Sequence, residues 1–322
     1  MNGKKIKGFL KQHSLFIFFL LFLALPALLP NNYTVYVANR GLTNAIAVLG
    51  LAVLYGMTGQ ITLATMSYFA IGAYTAAVLQ MTFHVNSVAA MLFGILMTTL
   101  WGIILSIPSF KLSGPFLTIS TVAFGEIVKT ALINMVPLTN GPSGLSDIPP
   151  VSVFGMKIAT DKVWYYIILC ILLLMGIAVI RLKRSNYGRA FYSVKDDELA
   201  ASLMGVRVKK MKTIAFSTAA FLAGTAGVMY AHFAGFLAPG DFAQQFSANV
   251  FSMVVLGGGD AVLGGICSAL GVTALPEILR FMQEYYIMVF NMVILVYLLT
   301  PWNKIGDWLR EKTGRKSAAG SR

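Results

Sequence analysis

Residues 167–180 read IILCILLLMGIAVI, and residues 15–29 read LFIFFLLFLALPALL. Neither stretch contains a charged side chain, and neither shows the alternation of apolar and polar residues that is typical of membrane β-strands. A segment that crosses a bilayer needs about 20 predominantly apolar residues, and its backbone groups must hydrogen-bond within the segment. The whole chain is 57% hydrophobic and 11% charged, with a mean hydropathy of +0.75. These features predict an all-α, polytopic transmembrane helical bundle.

Apolar runs of this kind recur along most of the chain and predict eight to ten crossings. No stretch has the composition of a soluble domain, so residues 1–322 are expected to form one transmembrane domain. Its predicted parts are the first six spans (15–181), a polar segment (182–211), the remaining spans (212–300) and a basic tail (301–322). The individual spans are predicted at 15–30, 42–58, 61–82, 87–108, 114–136, 163–181, 212–236, 246–272 and 274–300.

The basic residues predict which parts face the cytoplasm. Nineteen of the 25 lysines and arginines lie before the first span, between Arg181 and Lys212, or from Lys304 onward. Because Lys and Arg gather in cytoplasmic loops, both termini and the polar segment are expected in the cytoplasm. The bilayer therefore explains the net charge of +13 without a nucleic-acid partner. The first apolar run could also be a signal peptide, but it has no convincing small-residue cleavage site, so we expect a retained span.

Glycine-rich stretches predict two interrupted helices. A basic cytoplasmic tail requires an even number of crossings after Lys212, yet only three apolar segments follow. Residues 254–265, VVLGGGDAVLGG, are the best candidate for a broken or re-entrant segment, because successive glycines cannot easily continue a helix that faces lipid. Residues 56–64, GMTGQITLA, form a similar break in the first half, and such paired breaks are common in transporters. The candidate helix-breaking residues are Gly56, Gly59, Gly257, Gly258 and Gly259.

The polar segment contains a short predicted helix within GRAFYSVKDDELAASLMGVRVKKMK (188–212). Acidic residues stand at its amino terminus, where free N–H groups favour negative charge, and Asp196 is the predicted N-cap. Gly205 is expected to end it, since glycine readily adopts a left-handed C-terminal conformation. A helix of about two turns has Leu199, Leu203 and Met204 on one face, while Ala200 and Ala201 leave room for a close partner. Alternatively, the segment is a solvated loop that only carries basic residues.

The pattern Glu198-x-Ala200-Ala201-x-x-x-Gly205 resembles the EAA-type cytoplasmic loop of ABC importer permeases, which docks on an ATPase subunit. Here the acidic residue stands two positions before the alanine pair rather than directly before it. Four other stretches also resemble LivM-type permeases of branched-chain amino acid importers, so that the resemblance covers roughly residues 40–300. Thr62 and Ala64 replace the serine and glycine that this family often has. The four stretches are GMTGQITLATMSYFAIGAYTAAVL (56–79), KLSGPFLTISTVAFGEIVKTAL (111–132), TNGPSGLSDIPP (139–150) and MVVLGGGDAVLGGICSALG (253–271).

This resemblance implies a permease subunit of an ATP-driven importer in a bacterial inner membrane. The implied partners are a second similar permease, two cytoplasmic ATPases, and a periplasmic or lipid-anchored binding protein that delivers leucine, isoleucine, valine or related amino acids. Related permeases carry urea and short amides, so these cargoes stay open. The residues implied to couple the chain to the ATPases are Asp197, Glu198, Ala200, Ala201 and Gly205.

The chemistry of the remaining residues predicts transport rather than catalysis. No G-x-x-x-x-G-K-[ST] loop occurs, so the chain is expected to bind no ATP and to be no enzyme. Three scattered histidines and two cysteines within apolar runs predict no metal site, and no cofactor is expected. Glu126 and Lys129 are spaced to form an ion pair on one helix face. Thr58, Gln60 and Thr62 are candidates for the translocation pathway or, equally, for hydrogen bonds between helices. A gradient-driven carrier is the main alternative, and it would need a titratable residue in its pore; a membrane-embedded enzyme or scaffold is a more distant one.

Overall fold

The computed structural model describes residues 31–153, 156–158 and 160–279, together with the isolated positions 22, 23, 26, 292 and 295. The predicted first span, most of the predicted last stretch and the basic tail lie outside the described residues. By contacts, residues 1–274 form one unit. The second unit, 275–322, is described only at 275–279, 292 and 295. The single-domain organisation stays a prediction.

Eleven α-helices dominate the described residues, and the predicted all-α fold is confirmed. Two three-residue strands, β1 (Val151–Val153) and β2 (Met156–Ile158), pair antiparallel as a small hairpin. The helices are α1 (Asn32–Leu51), α2 (Thr65–Met81), α3 (Ser87–Ser106), α4 (Pro115–Asn134), α5 (Val136–Thr139), α6 (Asp161–Arg184), α7 (Asn186–Asp196), α8 (Glu198–Leu203), α9 (Val208–Ala234), α10 (Gln244–Leu256) and α11 (Val262–Ile278).

Five helical segments among the described residues are long and apolar enough to cross a membrane. They correspond to α1 with the π-helix Ala52–Met57 that follows it, and to α3, α4, α6 and α9. Their mean hydropathies lie between 1.5 and 2.7. A 20-residue helix is about 30 Å long, which matches the hydrocarbon thickness of a bilayer. The number of crossings stays a prediction, because segments at both ends of the chain lie outside the described part.

Helices α1 and α9 form the centre of the bundle. Their apolar windows are 83% and 72% buried, compared with 22–39% for α3, α4 and α6. Helix α9 packs on α1, α2 and α3, and small residues allow the backbones to approach closely. A β-carbon at Gly227 would lie 2.0 Å from the carbonyl oxygen of Phe69, and one at Gly72 would lie 2.6 Å from that of Gly224. Larger side chains at these positions would separate α2 from α9.

The predicted span at 246–272 is two helices rather than one. Helix α10 ends at Leu256 and α11 begins at Val262, and Gly258 and Gly259 between them have φ angles of +91° and +70°. The Ser268 hydroxyl donates to the Met253 carbonyl at 2.5 Å and so ties α11 to the last turn of α10. The predicted break in this stretch is confirmed, whereas the number of crossings after Lys212 stays a prediction.

The first glycine-rich stretch also interrupts a helix. After the π-helix Ala52–Met57, residues 59–64 are not helical, and α2 begins at Thr65. Gly59 has a φ of +70°, which a residue with a side chain rarely adopts. The predicted spans 42–58 and 61–82 thus meet at an irregular segment of six residues.

The long helices separate two ends of the bundle. We call the end that carries α7 and α8 the basic end, and the end that carries residues 135–160 and 235–243 the loop end. At the loop end, Leu145 and Leu237 exchange backbone hydrogen bonds of 2.9 Å, which join the two loops. Helix α6 begins at the loop end, where Asn39 donates to the Asp161 carbonyl at 3.0 Å.

The predicted pairing of Glu126 with Lys129 is wrong. Both residues lie on α4, but they make no ion pair, and Glu126 is exposed. A spacing of three along a helix allows such a pair but does not require the two side chains to turn toward each other.

Candidate coupling site

Helix α8 begins and ends with capping groups that its own sequence supplies. The Asp197 carboxylate accepts hydrogen bonds from the backbone N–H of Leu199 at 2.8 Å and of Ala200 at 3.0 Å. Asp197, and not Asp196 as predicted, is therefore the N-cap. Asp196 is the last residue of α7, whereas Asp197 has the extended backbone, φ −160° and ψ 115°, that an N-cap requires.

Gly205 ends α8 in the left-handed conformation, with a φ of +85°. The Val206 N–H donates to the Ala201 carbonyl at 3.0 Å, and the Gly205 N–H donates to the Ser202 carbonyl at 3.1 Å. This pair of bonds is a Schellman motif, which satisfies carbonyls that the short helix leaves free.

Three large apolar side chains of α8 and its C-cap face away from the protein. Leu199, Leu203 and Met204 are 71%, 80% and 85% exposed. Single exposed apolar residues are common, but a contiguous group marks an interaction site. We call these three residues the α8 apolar face.

The two alanines of the predicted docking surface point in different directions. Ala200 is exposed, whereas Ala201 is buried within the protein with 4% exposure. Ala201 therefore does not offer the free surface that the sequence predicts for both alanines. Its small size lets α8 sit closely on its own protein.

Glu198 joins α8 to the first helix break and to α9. Its Oε1 atom accepts a hydrogen bond from Gln60 Nε2 at 3.2 Å and lies 2.7 Å from Lys212 Nζ. The Lys212 side chain is 3% exposed, and its Nζ also donates to the Ser109 carbonyl at 2.9 Å. A buried ammonium is costly without such partners, so Glu198 stabilises both the charge and the position of α8.

Helix α7 contacts the same break through Lys195. Its Nζ donates to the Gly56 carbonyl at 2.8 Å. A β-carbon at Gly59 would lie 3.2 Å from Lys195 Cγ, so glycine also allows α7 to approach the break. The carbonyl at Gly56 lies at the end of the π-helix, where the regular pattern of backbone bonds changes.

The second break is held by Asp260, between α10 and α11. Its carboxylate accepts hydrogen bonds from Lys183 Nζ at 2.6 Å and from the Tyr192 hydroxyl. Partial burial raises the pKa of Asp260, but these hydrogen bonds and the charges of Lys183 and Lys195 outweigh it, so the pKa lies below its ordinary value. Asp260 is thus an ionised anchor that joins the segment between α10 and α11 to α6 and α7.

The two breaks also touch each other. A β-carbon at Gly56 would lie 2.7 Å from the Gly259 carbonyl oxygen and 2.8 Å from the Asp260 Cα. One polar cluster therefore contains both interrupted segments and the α7–α8 segment. We call it the coupling cluster. Its members are Gly56, Gly59, Gln60, Lys183, Tyr192, Lys195, Glu198, Lys212, Gly259 and Asp260.

Comparison with known proteins assigns the chain to a family. The model of the family described as "Branched-chain amino acid transport system / permease component" matches residues 33–299. The chain belongs to this family. It is 31% identical over 321 residues to the high-affinity branched-chain amino acid transport system permease protein LivM of Escherichia coli (strain K12), covering 92% of this chain and 76% of that protein. LivM of Salmonella typhimurium is 30% identical with the same coverage.

A more distant relative is the autoinducer 2 import system permease protein LsrC of Klebsiella pneumoniae, 30% identical over 121 residues, or 38% of this chain and 32% of that protein. No solved structure matches the chain. Family membership confirms the predicted class, a permease subunit of an ABC importer, and the long apolar helices make the chain a multi-pass membrane protein. The coupling cluster is therefore a feature of a transport component.

The candidate pathway residues lie at the first helix break, and their side chains are buried against the rest of the protein. Thr58, Gln60 and Thr62 are 1%, 6% and 1% exposed, while Gly59 and Ile61 between them are exposed. The Thr58 hydroxyl donates to the Leu54 carbonyl at 2.5 Å, and the Thr62 hydroxyl accepts from the Ala64 N–H at 3.2 Å. Gln60 Oε1 is buried without a hydrogen-bond partner. A pathway role for these residues stays a prediction.

Other chemistry-bearing side chains have structural surroundings. No group of three or more His, Cys, Asp and Glu residues among those described could hold a metal ion. Cys170 and Cys267 are free and exposed. His232 is buried, with Nδ1 2.8 Å from the Val228 carbonyl and Nε2 2.9 Å from Gln80 Oε1. These contacts fix its ring within the bundle.

Proposed function

We propose that this permease subunit translocates leucine, isoleucine, valine or related amino acids across a bacterial inner membrane, driven by partner ATPases. The names of its relatives support the substrate class. The implied assembly contains a second similar permease, two cytoplasmic ATPases and an external binding protein. The observation that carries the proposal is the exposed α8 apolar face, on the same short helix as Glu198, which belongs to the cluster that joins both helix breaks.

In this mechanism an ATPase groove covers the α8 apolar face, and the α7–α8 segment moves when the two ATPases close. Lys195 and Glu198 transmit the movement to the first break through Gly56 and Gln60. Tyr192 transmits it to the second break through Asp260. The breaks can respond because irregular backbone bends more easily than a continuous helix. The pore would then change from outward-facing to inward-facing.

The topology that this mechanism needs places both termini and the basic end in the cytoplasm, and the loop end outside. The basic residues at 181–212 support this orientation. Cys170 and Cys267 are first replaced by alanine, because both are exposed. Cysteines are then introduced singly at Ser202 and Ser143, which are both exposed. In intact cells an impermeant thiol reagent should label position 143 and not 202. Labelling of position 202 alone refutes the orientation.

The docking step is tested with Leu203→Glu and Met204→Glu. Both side chains are at least 80% exposed, so the substitutions should leave the abundance of the chain unchanged. A charge that becomes buried without a partner in the ATPase groove should weaken the interface by about 3 kcal/mol, or roughly a hundredfold in affinity. Co-purification of the ATPases, substrate-stimulated hydrolysis and uptake should then fall together.

The matched control is Phe236→Glu, which places the same charge on a 45% exposed residue at the loop end. It should leave ATPase association intact. If both α8 variants retain the ATPases and normal uptake, the docking proposal is wrong. Uptake that persists without the ATPases and collapses with a protonophore would support the gradient-driven carrier instead. Competition by urea or acetamide, and not by leucine, would support a permease for those cargoes.

A further inference from the structure

Two buried polar atoms that lack hydrogen-bond partners lie beside the same point on α4. Five buried side-chain polar atoms among the described residues have no partner, and Ser67 Oγ and Gln244 Oε1 are two of them. A β-carbon at Gly125 would lie 3.5 Å from Ser67 Oγ and 3.0 Å from Gln244 Oε1. Because buried polar groups are normally hydrogen-bonded, two unpaired atoms at one place require an explanation.

This place is deep within the bundle. Gly125 lies near the middle of α4, which is long and apolar enough to cross a membrane. Ser67 is 0% exposed, so its hydroxyl faces neither lipid nor bulk water. An unpaired polar group at membrane depth is costly, and such groups mark functional sites in membrane proteins.

Helix α2 begins beside these atoms with free backbone N–H groups. Its first position follows Ala64, which supplies no side-chain cap. The Met66 N–H donates to Ser247 Oγ at 2.9 Å, whereas the N–H groups of Thr65 and Ser67 bond to no described residue. Such groups, together with the helix dipole, favour an anionic oxygen.

The Gln244 side chain completes the group with an acceptor. Its Nε2 donates to the Leu63 carbonyl at 3.4 Å, so the amide lies at the start of α2 and its free Oε1 lies beside Gly125. The place therefore offers neutral donors from α2 and a neutral acceptor from α10. We call Ser67, Gln244 and the free N–H groups of Thr65 and Ser67 the polar subsite.

Helix α4 covers the polar subsite in this structure, and the first break holds α4 there. The Leu63 N–H donates to Thr121 Oγ1 at 3.0 Å, and the Thr118 hydroxyl donates to the Ile61 carbonyl at 3.3 Å. The same break is bonded through Gln60 to Glu198 of the coupling cluster. A movement of the α7–α8 segment can therefore reach α4 through one irregular stretch of backbone.

We propose that the polar subsite binds the backbone groups of an amino acid as it crosses the membrane, after α4 has moved away from α2. The Ser67 hydroxyl and the free N–H groups donate to the α-carboxylate, and Gln244 Oε1 accepts from the α-ammonium. Broken helices in transporters place their N-termini toward carboxylates in this way. Neutral groups suit a transient site, because a ligand must also leave it. This inference rests on the proposed function.

The test uses the complete assembly of this chain with its partner permease and ATPases in proteoliposomes, supplied with leucine-loaded binding protein. The quantity measured is the number of leucine molecules imported per ATP hydrolysed. Ser67→Ala and Gln244→Leu should each lower this ratio at least tenfold. A merely structural role would instead lower thermal stability, hydrolysis and import together and leave the ratio unchanged.

Matched controls remove the same chemical groups elsewhere on α10. Ser252→Ala removes a hydroxyl that already donates to the Ala248 carbonyl at 2.9 Å, and Gln245→Leu removes an exposed amide. Both should keep the wild-type ratio. If Ser67→Ala and Gln244→Leu also keep it, the polar subsite is wrong while the proposed function stands. Wild-type assemblies that hydrolyse ATP but import no leucine would refute the proposed function instead.

A second measurement does not depend on the loss of a polar group. Cys170 and Cys267 are replaced by alanine, and Ser67→Cys is treated with the small neutral reagent methyl methanethiosulfonate. Labelling should be at least tenfold faster during ATP turnover than at rest, because α4 must uncover the subsite. Ser106→Cys, at a position that is 1% exposed on α3, is the control and should not respond. Labelling of Ser67→Cys that turnover does not accelerate overturns the proposal.

A neutral amide shares the donor and acceptor pattern of an amino acid head group. Uptake of radiolabelled acetamide is therefore measured in the same proteoliposomes, with acetamide-loaded binding protein. The wild-type assembly should import leucine and little acetamide. Import of acetamide but not leucine, lowered by Ser67→Ala, would assign the subsite to amides and overturn the amino-acid assignment.

Discussion

The two ends of the bundle use charged side chains in opposite ways. At the basic end, Lys212 and Lys183 are paired with Glu198 and Asp260, and Lys195 is bound to a backbone carbonyl. At the loop end, Arg40 and Asp241 face an open cleft with no described partner. Paired charges join segments that are distant in sequence, whereas exposed unpaired charges add little to the stability of the fold. The difference therefore distinguishes the coupling cluster, whose charges are paired within the protein, from loop-end charges that have no described partner.

The largest expected effect concerns the direction in which α8 faces. Ala201→Arg places a long cation at a position that is 4% exposed, so it should destabilise the protein by about 3–5 kcal/mol. Ala200→Arg, at the neighbouring exposed position, should leave the folded protein intact and weaken only ATPase association. The measurements are chain abundance and thermal stability in detergent. Normal stability of Ala201→Arg would show that α8 does not pack on its own protein.

A smaller effect is expected for the buried ion pair. Glu198→Gln leaves the Lys212 ammonium with the Ser109 carbonyl alone, and we expect a loss of about 3 kcal/mol. This is the lower end for a buried pair, because the Glu198 side chain is 41% exposed. This loss of stability is measured by thermal unfolding, with size-exclusion chromatography as the readout. Asp196→Asn, at an exposed position, is the control and should change stability little. Equal melting of the two variants would refute a role for the pair.

The smallest expected effect tests the cap. Asp197→Ala removes the acceptor for two backbone N–H groups and should destabilise α8 by about 1 kcal/mol. Hydrogen exchange at residues 199–203 should accelerate about fivefold, whereas Asp197→Asn, which preserves an oxygen acceptor, should exchange nearly as the wild type does. Unchanged hydrogen exchange in Asp197→Ala, or faster exchange in Asp196→Ala, would favour Asp196, the residue predicted from sequence, as the N-cap.

Local features of the chain could be predicted from sequence because they depend on neighbouring residues. Apolar runs predict helices, since backbone groups in lipid must bond within their own segment. The glycines at 257–259 interrupt a helix, and the residues after Asp196 form a short one that ends at Gly205. The sequence predicts the N-cap one residue too early, because Asp196 and Asp197 carry the same side chain and only their backbone angles distinguish them.

The arrangement of these features required the tertiary structure. Sequence predicts each glycine break, but not that Gly56 touches Gly259 or that Asp260 binds Lys183 and Tyr192. It does not reveal that Ala201 is buried while Ala200 is exposed. Arg40 and Asp241 carry no motif, and they share a cleft only because α1, α9 and α10 pack around Phe69. Helix formation is local, whereas contacts between distant segments depend on how whole helices pack, which no short stretch of sequence encodes.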